Sequence, residues 1–355
     1  VNPIKVLIVD DSALIRTLLS EIVNRERDMV VVGTAGDPYA AREKIKELDP
    51  DVLTLDIEMP RMNGLDFLEK LMRLRPMPVV MVSSLTEAGA SATLRALELG
   101  AVDYVAKPSA ALDGGLLSLA AEVVEKIRAA AGARVRRYVP APSVAPVHAG
   151  GAESASGLAH DSIIAIGAST GGTEAIKEVL VRLPRNAPPV VVTQHMPPGF
   201  TKSYADRLNR LCALTVVEAQ GGERLLVGHA YVAPGHAHLV VTKRDGTAYT
   251  ALDDGPRVNR VKPAVDVLFH SVAAAFGSRV SAIVLTGMGR DGADGIRAIK
   301  AAGGCTIAQD EESCVVFGMP KAAIETGCVD LVSPLAGIAQ ILIQRFKLVS
   351  AVPQH

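Results

Sequence analysis

Apolar residues in the first third of the chain come in short runs separated by amphipathic stretches. Runs at 4–9, 29–33, 52–55, 78–83 and 102–106 have the length and Val/Ile content of buried strands. Between them, apolar positions recur with a helical period over about 12–25, 38–48, 64–74 and 87–99, with another such stretch near 113–131. Pro50, Pro60, Pro76 and Pro108 punctuate the element ends. This alternation predicts an α/β unit: a doubly wound, five-stranded parallel sheet covered by helices on both faces.

From about Gly132 to His160 the period disappears. Ala, Pro, Val, Gly and Ser dominate, with Arg134, Arg136 and Arg137 near the start, so this stretch reads as a solvated linker. The alternation resumes at Asp161. Runs at 162–167, 189–194 and 281–285 look like buried parallel strands, whereas those at 214–217, 230–233, 238–242 and 247–251 lie closer together and suggest hairpins. Helical patterns fit about 173–182, 200–211, 264–276, 293–302 and 334–346. The expected organisation is a first domain at 1–131, a linker at 132–160, a second doubly wound α/β domain with an antiparallel hairpin excursion at 161–346, and a tail at 347–355.

Composition narrows the function classes. At 355 residues there is room for two domains, and 49% hydrophobic content supports sizeable cores. A net charge of −1 and 3% aromatics without Trp argue against nucleic-acid binding. Cys212, Cys305, Cys314 and Cys328 form no Cys-x-x-Cys pair and read as reduced thiols. No apolar run approaches the roughly 18–20 residues that span a bilayer. The first residues lack the pattern of a signal peptide, so a cytoplasmic protein without membrane insertion is expected.

In the first domain, acidic side chains collect where strands end. Asp10 and Asp11 follow the first run, Asp56 the third, Ser83 closes the fourth and Lys107 follows the fifth. Parallel neighbours bring such ends to one edge of the sheet. Three carboxylates there need a cation, and oxygen ligands suit Mg²⁺. Lys107 and Ser83 can contact a phosphoryl oxygen in the same place. Singly, an Asp after a strand is a cap or turn residue; the joint placement is what carries the reading. These residues, with Asp10-Asp11-Ser12, Leu55-Asp56-Ile57-Glu58-Met59-Pro60, Tyr104 and Lys107-Pro108, resemble the response-regulator receiver domain over about 3–125. The resemblance implies that Asp56 accepts a phosphoryl group from a histidine kinase. It further implies that Asp10 and Asp11 help hold Mg²⁺, and that Ser83 and Tyr104 couple phosphorylation to a surface change.

In the second domain, Gly167-Ala168-Ser169-Thr170-Gly171 fits the G-x-S-x-G pattern between a strand and a helix. Its hydroxyl stands at the carboxyl end of a strand, where open α/β sheets bind ligands, and beside the N–H groups of a helix start. Three readings stand open: a nucleophile, a phosphate-binding turn and a helix cap. A dinucleotide loop would need glycine where Ser169 stands. A nucleophilic serine needs a base. The candidates are His195, His229, His236, His238 and His270, and His195, ending the next run, is best placed. His236 and His238 lack a third metal ligand at recognisable spacing and read as turn and strand residues. Asp291 or Asp294, after the run 281–285, can orient the base, with Asp294 also suited to capping a helix. Asp253 and Asp254 precede Gly255-Pro256 and look like a turn. In α/β-hydrolases the chain order is Ser, acid, His; here it is Ser169, His195, Asp291, which argues for the same chemistry on a different sheet.

The segments GASTGG, TQHMP, APG, NRVKPAVDVLF and LTGMGRDGADG resemble the catalytic domain of the chemotaxis protein-glutamate methylesterases over about 160–346. Both domains in this order match that family over nearly the whole chain. The resemblance implies Ser169 as nucleophile, His195 as general base, Asp291 as its partner, and Thr170 and the Met288 backbone at the oxyanion pocket. It implies hydrolysis of glutamyl methyl esters on the cytoplasmic helices of chemoreceptors with release of methanol, and of glutamines with release of ammonia, without a cofactor for this half. An unphosphorylated receiver covering the cleft is also implied. The rival expectations are the same architecture serving a non-chemotaxis array, or a non-enzymatic binding output.

Overall fold

The computed structural model describes residues 2–84, 86–107, 115–135 and 161–348. Pro108, Arg136, Arg137, most of the expected linker and the tail from 349 lie outside the described residues. The chain divides into two compact units, residues 1–142 and 143–355. Among the described residues no helix is long and apolar enough to cross a membrane.

In the first unit, β1 (Ile4–Val9), β2 (Met29–Ala35), β3 (Val52–Asp56), β4 (Val79–Ser83) and β5 (Asp103–Ala106) form one parallel sheet in the order β2-β1-β3-β4-β5. Helices α1 (Ala13–Asn24), α2 (Pro38–Leu48), α3 (Gly64–Leu74), α4 (Glu87–Glu98) and α5 (Gly115–Ala131) alternate with the strands. Val6 through Val9 are wholly buried, as are Leu53 and Leu55. Strands covered on both faces have no solvent side, so their sequences run apolar without alternation. Helices α1 to α4 each begin on a residue whose side chain accepts an N–H of the first turn: Ser12, Asp37, Asn63 and Thr86. The strand order reverses direction between β1 and β3, and that switch point opens a crevice at the carboxyl ends.

The second unit is built on a seven-stranded sheet in the order β14-β13-β12-β6-β7-β9-β8. Its strands are β6 (Ile163–Ala168), β7 (Val190–Gln194), β8 (Thr215–Glu218), β9 (His229–Val232), β12 (Val280–Val284), β13 (Cys305–Gln309) and β14 (Leu331–Ser333). Every ladder in it is parallel. Among the described residues six helices accompany it: α6 (Gly172–Leu180), α7 (Phe200–Leu211), α8 (Val265–Phe276), α9 (Ala293–Ala301), α10 (Met319–Glu325) and α11 (Leu335–Phe346). Antiparallel strands β10 (His238–Arg244) and β11 (Thr247–Asp253) form a separate hairpin. Leu239 and Val241 of that hairpin join Leu268, Phe269 and Val272 of α8 in the main core. The chain builds outward from β6 on one side and resumes at β12 on the other, so the switch point lies between β6 and β12.

One expectation is corrected here. The runs at 214–217 and 230–233 do not make a hairpin: β8 and β9 pair in parallel at the sheet edge. The segment between them leaves the sheet and bonds to β11, with Gly222 N–H to Thr250 O at 2.8 Å and Leu225 N–H to Ala248 O at 2.9 Å. That detour gives the connection room to return in the same direction. Strands β13 and β14 and helix α10 are additions to the pattern reading. Their runs are short, and β13 carries the buried polar residues Thr306 and Gln309.

Candidate functional site

Side chains with chemistry gather at both switch points. In the first unit, Asp10, the residue after β1, meets Asp56, the last of β3, because β1 and β3 are neighbours. Asp10, Asp11 and Asp56 each offer an oxygen within 4.8 Å of the others. Arg16 anchors the main chain of the pair, donating to the carbonyls of Asp10 at 2.7 Å and Asp11 at 2.9 Å. Asp10 Oδ1 accepts the Ser12 N–H at 2.9 Å, and Asp56 Oδ1 accepts the Glu58 N–H at 3.1 Å. Lys107 Nζ stands 2.7 Å from Asp56 Oδ2 and 3.6 Å from Asp10 Oδ2.

Asp56 is 1% exposed. Burial pushes its carboxyl up to about 6, against the Lys107 hydrogen bond and with the charge of Asp10 adding to the rise. Burial raises Asp10 as well. Lys107 is held above its ordinary value: burial works the other way, but the hydrogen bond and charge of Asp56 and the charges of Asp10 and Asp11 outweigh it. Asp10 Oδ2 is buried without a hydrogen-bond partner. Hard oxygen donors, an excess of negative charge and an orphaned oxygen fit a divalent cation such as Mg²⁺.

The other two residues expected here, Ser83 and Tyr104, make other contacts. The Ser83 hydroxyl donates to the carbonyls of Ser84 at 3.3 Å and Gly89 at 3.4 Å, while its own carbonyl accepts the Lys107 N–H at 2.7 Å. Tyr104 sits within β5 opposite Met81. It is turned inward at 4% exposure, and burial pushes its hydroxyl well above the ordinary range. The Lys126 ammonium lies 4.7 Å from its ring centre and pairs with Glu122 at 2.9 Å and Asp103 at 3.4 Å.

In the second unit the three central strands deliver the expected triad residues. Ser169 follows β6, His195 follows β7 and Asp291 lies in the loop after β12. The strand ends are laced together: His195 N–H donates to Ala168 O at 3.1 Å, and Ser169 N–H donates to Thr286 O at 3.0 Å. His195 Nε2 is 2.8 Å from Asp291 Oδ2. A carboxylate only accepts, so Nε2 carries the proton and Nδ1 is left as the basic nitrogen.

Asp291 is 3% exposed and saturated with donors. Oδ2 also accepts the Val265 N–H at 2.6 Å. Oδ1 accepts the N–H groups of Asp266 at 3.1 Å and Gly292 at 3.1 Å, and the Asn259 amide at 2.9 Å. Burial alone would raise this carboxyl, but the hydrogen bond and charge of His195, with the Val265 and Asn259 donors, hold it below the usual range. Two of these donors are the first N–H groups of α8, whose preceding residue, Ala264, has no side chain to cap it. Asp266 returns the favour by accepting the Gly295 N–H of α9 at 2.7 Å. The start of α8 is therefore capped by an aspartate of the loop that leads into α9, and the start of α9 by an aspartate of α8.

Glycines let the serine turn close. A Cβ on Gly167 would come within 2.2 Å of Val265 Cγ1, and one on Gly287 within 2.8 Å of Ser169 Cβ. Gly171, before α6, has φ of 75°, a conformation glycine adopts at no steric cost. Met288 follows Gly287 past the serine and is half-exposed. Thr170 is buried, its carbonyl accepting the Thr286 hydroxyl at 3.0 Å. Asp294, the competing acid, is exposed in the first turn of α9 and pairs with Arg297, while His195 pairs with Asp291. His238 is a structural tie: its Nδ1 accepts the Ala264 N–H at 3.0 Å and its Nε2 donates to Pro256 O at 3.0 Å. Asp253 caps the Gly255 N–H at 2.9 Å, as a turn residue does.

Residues 164–342 match the CheB methylesterase family model, and residues 6–113 match the response regulator receiver domain. A curated protein of Paraburkholderia xenovorans, named protein-glutamate methylesterase/protein-glutamine glutaminase, is 58% identical over 351 residues, covering 97% of each chain. The chain belongs to this methylesterase/glutaminase family. A member from Salmonella typhimurium is 53% identical and covers 99% of each chain. The catalytic domain of Thermotoga maritima CheB methylesterase superposes with a TM-score of 0.51 at 45% identity, over 52% of this chain and 98% of that one.

Within this family frame, several contributors were not singled out from the sequence. Gln194 donates its amide to the carbonyls of Ser169 at 2.9 Å and His195 at 3.2 Å, tying the two strand ends. Thr286 bridges the serine turn to the segment around Val316. Asn259 and Asp266 surround Asp291. The available signal was the start of α8: a helix entered through Pro263-Ala264 lacks a polar cap, so its cap must come from elsewhere in the chain.

Proposed function

We propose that this chain hydrolyses glutamyl methyl esters, and deamidates glutamines, on the cytoplasmic helices of chemoreceptors, with Ser169 as nucleophile. The observation that carries the reading is the His195 Nε2–Asp291 Oδ2 hydrogen bond of 2.8 Å on the strand next to Ser169. His195 Nδ1 takes the serine proton as Oγ bonds to the ester carbonyl carbon. The oxyanion is held by backbone N–H groups at Met288 and the bare start of α6 near Thr170. The carbonyl re-forms as the C–O bond breaks, and methanol leaves with the proton from His195. Water, deprotonated by His195, then releases the glutamate and restores the serine. With a glutamine side chain the leaving group is ammonia.

The receiver unit supplies the control. Asp56 accepts a phosphoryl group from the phosphohistidine of a kinase, and hydrolysis speeds up. Asp10, Asp11 and Asp56 would hold Mg²⁺, which supplies positive charge to the transferring phosphoryl oxygens. Lys107 contributes a second positive charge, the Ser83 hydroxyl turns to bond the phosphoryl group, and Tyr104 relays the change. The domains run 1–131 for the receiver and 161–346 for the hydrolase, with 132–160 as linker and 347–355 as tail, in a cytoplasmic protein. Methanol release from methylated receptor membranes tests the assignment: Ser169→Ala should lose at least about 10³-fold in turnover while keeping its circular dichroism. Undiminished release would reject Ser169 as nucleophile.

A further inference from the structure

We propose that Asn259 is a positioning residue for ester hydrolysis, its side-chain amide bridging two buried carboxylates and keeping Asp291 committed to His195. One hydrogen of the amide goes to Asp291 Oδ1 at 2.9 Å and the other to Asp266 Oδ2 at 2.7 Å. Asp266 and Asp291 are 5% and 3% exposed. Their remaining donors are main-chain N–H groups of Val265, Asp266, Gly292 and Gly295, and the ring of His195. The charge of Asp294 also acts on Asp266 and adds to the repulsion. Burial and the charge of Asp291 raise the Asp266 carboxyl, while the Asn259 amide lowers both.

The turn that carries Asn259 has a backbone reason for that residue type too. Val258 and Val261 exchange N–H to carbonyl hydrogen bonds of 3.1 and 3.0 Å, and the two residues between them have φ of 52° and 69°. This is a two-residue turn of the left-handed kind that favours Asn, Asp or Gly in its first position. Gly and Asp are thus replacements that preserve the turn and delete the donor. Without it, Asp291 Oδ1 and Asp266 Oδ2 face each other with one donor fewer, and both carboxylates leave more uncompensated negative charge beside His195. The active form needs His195 neutral and Asp291 ionised, so it is reached only at higher pH.

This inference rests on the reading that Asp291 orients His195. The test is methanol release from methylated receptor membranes by the full chain across about pH 5 to 9. In Asn259→Gly and Asn259→Asp, kcat near neutrality should fall about tenfold, the loss of one charged hydrogen bond. The acid limb of kcat/KM should move up by about one pH unit, further for Asp than for Gly, with KM within about twofold of the parent. Thermal melting checks that both variants are folded. Acid limbs at the parent position in both folded variants, or a loss residing wholly in KM, would overturn the role of Asn259. Asp291→Asn is run alongside. If it keeps its turnover the reading of the triad itself fails; if it loses turnover while both Asn259 limbs stay in place, only the Asn259 inference fails.

Discussion

Asp56 and Asp291 occupy equivalent places in their two units. Each stands at the carboxyl edge of a parallel sheet by its switch point, and each is almost wholly buried. Their surroundings push them in opposite directions. Asp291 has donors on both oxygens and is held below the usual range. Asp56 has one main-chain donor and Lys107 against burial and the charge of Asp10, and rises to about 6. A saturated carboxylate has no capacity for a new bond and serves to aim another group. An under-supplied one gains from a cation or a phosphoryl group. The helix starts show the same division. Helices α1 to α4 carry their own side-chain caps, whereas α6, α7 and α9 begin on Gly171, Gly199 and Gly292, all with positive φ and none with a side chain of its own to cap the helix. Bare helix starts leave N–H groups for a substrate or for a distant aspartate.

The sharpest way to break this contrast is at Asp291. Asn in its place must present an N–H₂ to His195 or to main-chain donors that need an acceptor. Turnover should fall by roughly 10³-fold, through loss of the correct tautomer. Asp294→Asn, on the exposed face, should change stability by less than about 0.5 kcal/mol and leave turnover within a few-fold. Equal effects of the two substitutions would remove the distinction between them.

Next in size is a pH-dependent stability difference. The folded carboxyl of Asp56 lies above the ordinary 3.8, so its favourable contribution is complete below about pH 4 and is lost as pH rises through about 6. In EDTA, Asp56→Asn should stabilise the receiver by up to about 3 kcal/mol above pH 6, with no gain below pH 4. Asp291 has the opposite sign: its contribution is present above pH 3.8 and is lost as pH falls through its lower folded value. Denaturant titrations at several pH values measure both. A destabilised Asp56→Asn above pH 6 would contradict the account of its surroundings. The smallest effect is expected at Gly287→Ala, whose Cβ would lie 2.4 Å from Met319 Sδ and 2.8 Å from Ser169 Cβ. A loss of about 1–2 kcal/mol in stability is expected, read from the melting midpoint.

The contrast also marks what the sequence discloses. Strands such as Ile4–Val9 and Ile163–Ala168 are legible because burial on both faces demands apolar runs. Asp10, Asp56, Ser169 and His195 are legible because each ends such a run. Asn259 and Asp266 are not, because their partner Asp291 lies far along the chain and no local pattern records a cap supplied from there. The parallel pairing of β8 with β9 escapes for a similar reason: it depends on hydrogen bonds to β11 that only the fold creates.

One measurement tests the division of labour directly: methanol release from methylated receptor membranes by the full chain, with and without a small-molecule phosphodonor and Mg²⁺, for Asp56→Asn and Asp291→Asn side by side. Asp56→Asn should keep part of the basal release and ignore the phosphodonor, and Asp291→Asn should lose release in both conditions. An Asp56→Asn protein stimulated like the parent, or an Asp291→Asn protein with parental basal release, would contradict the account.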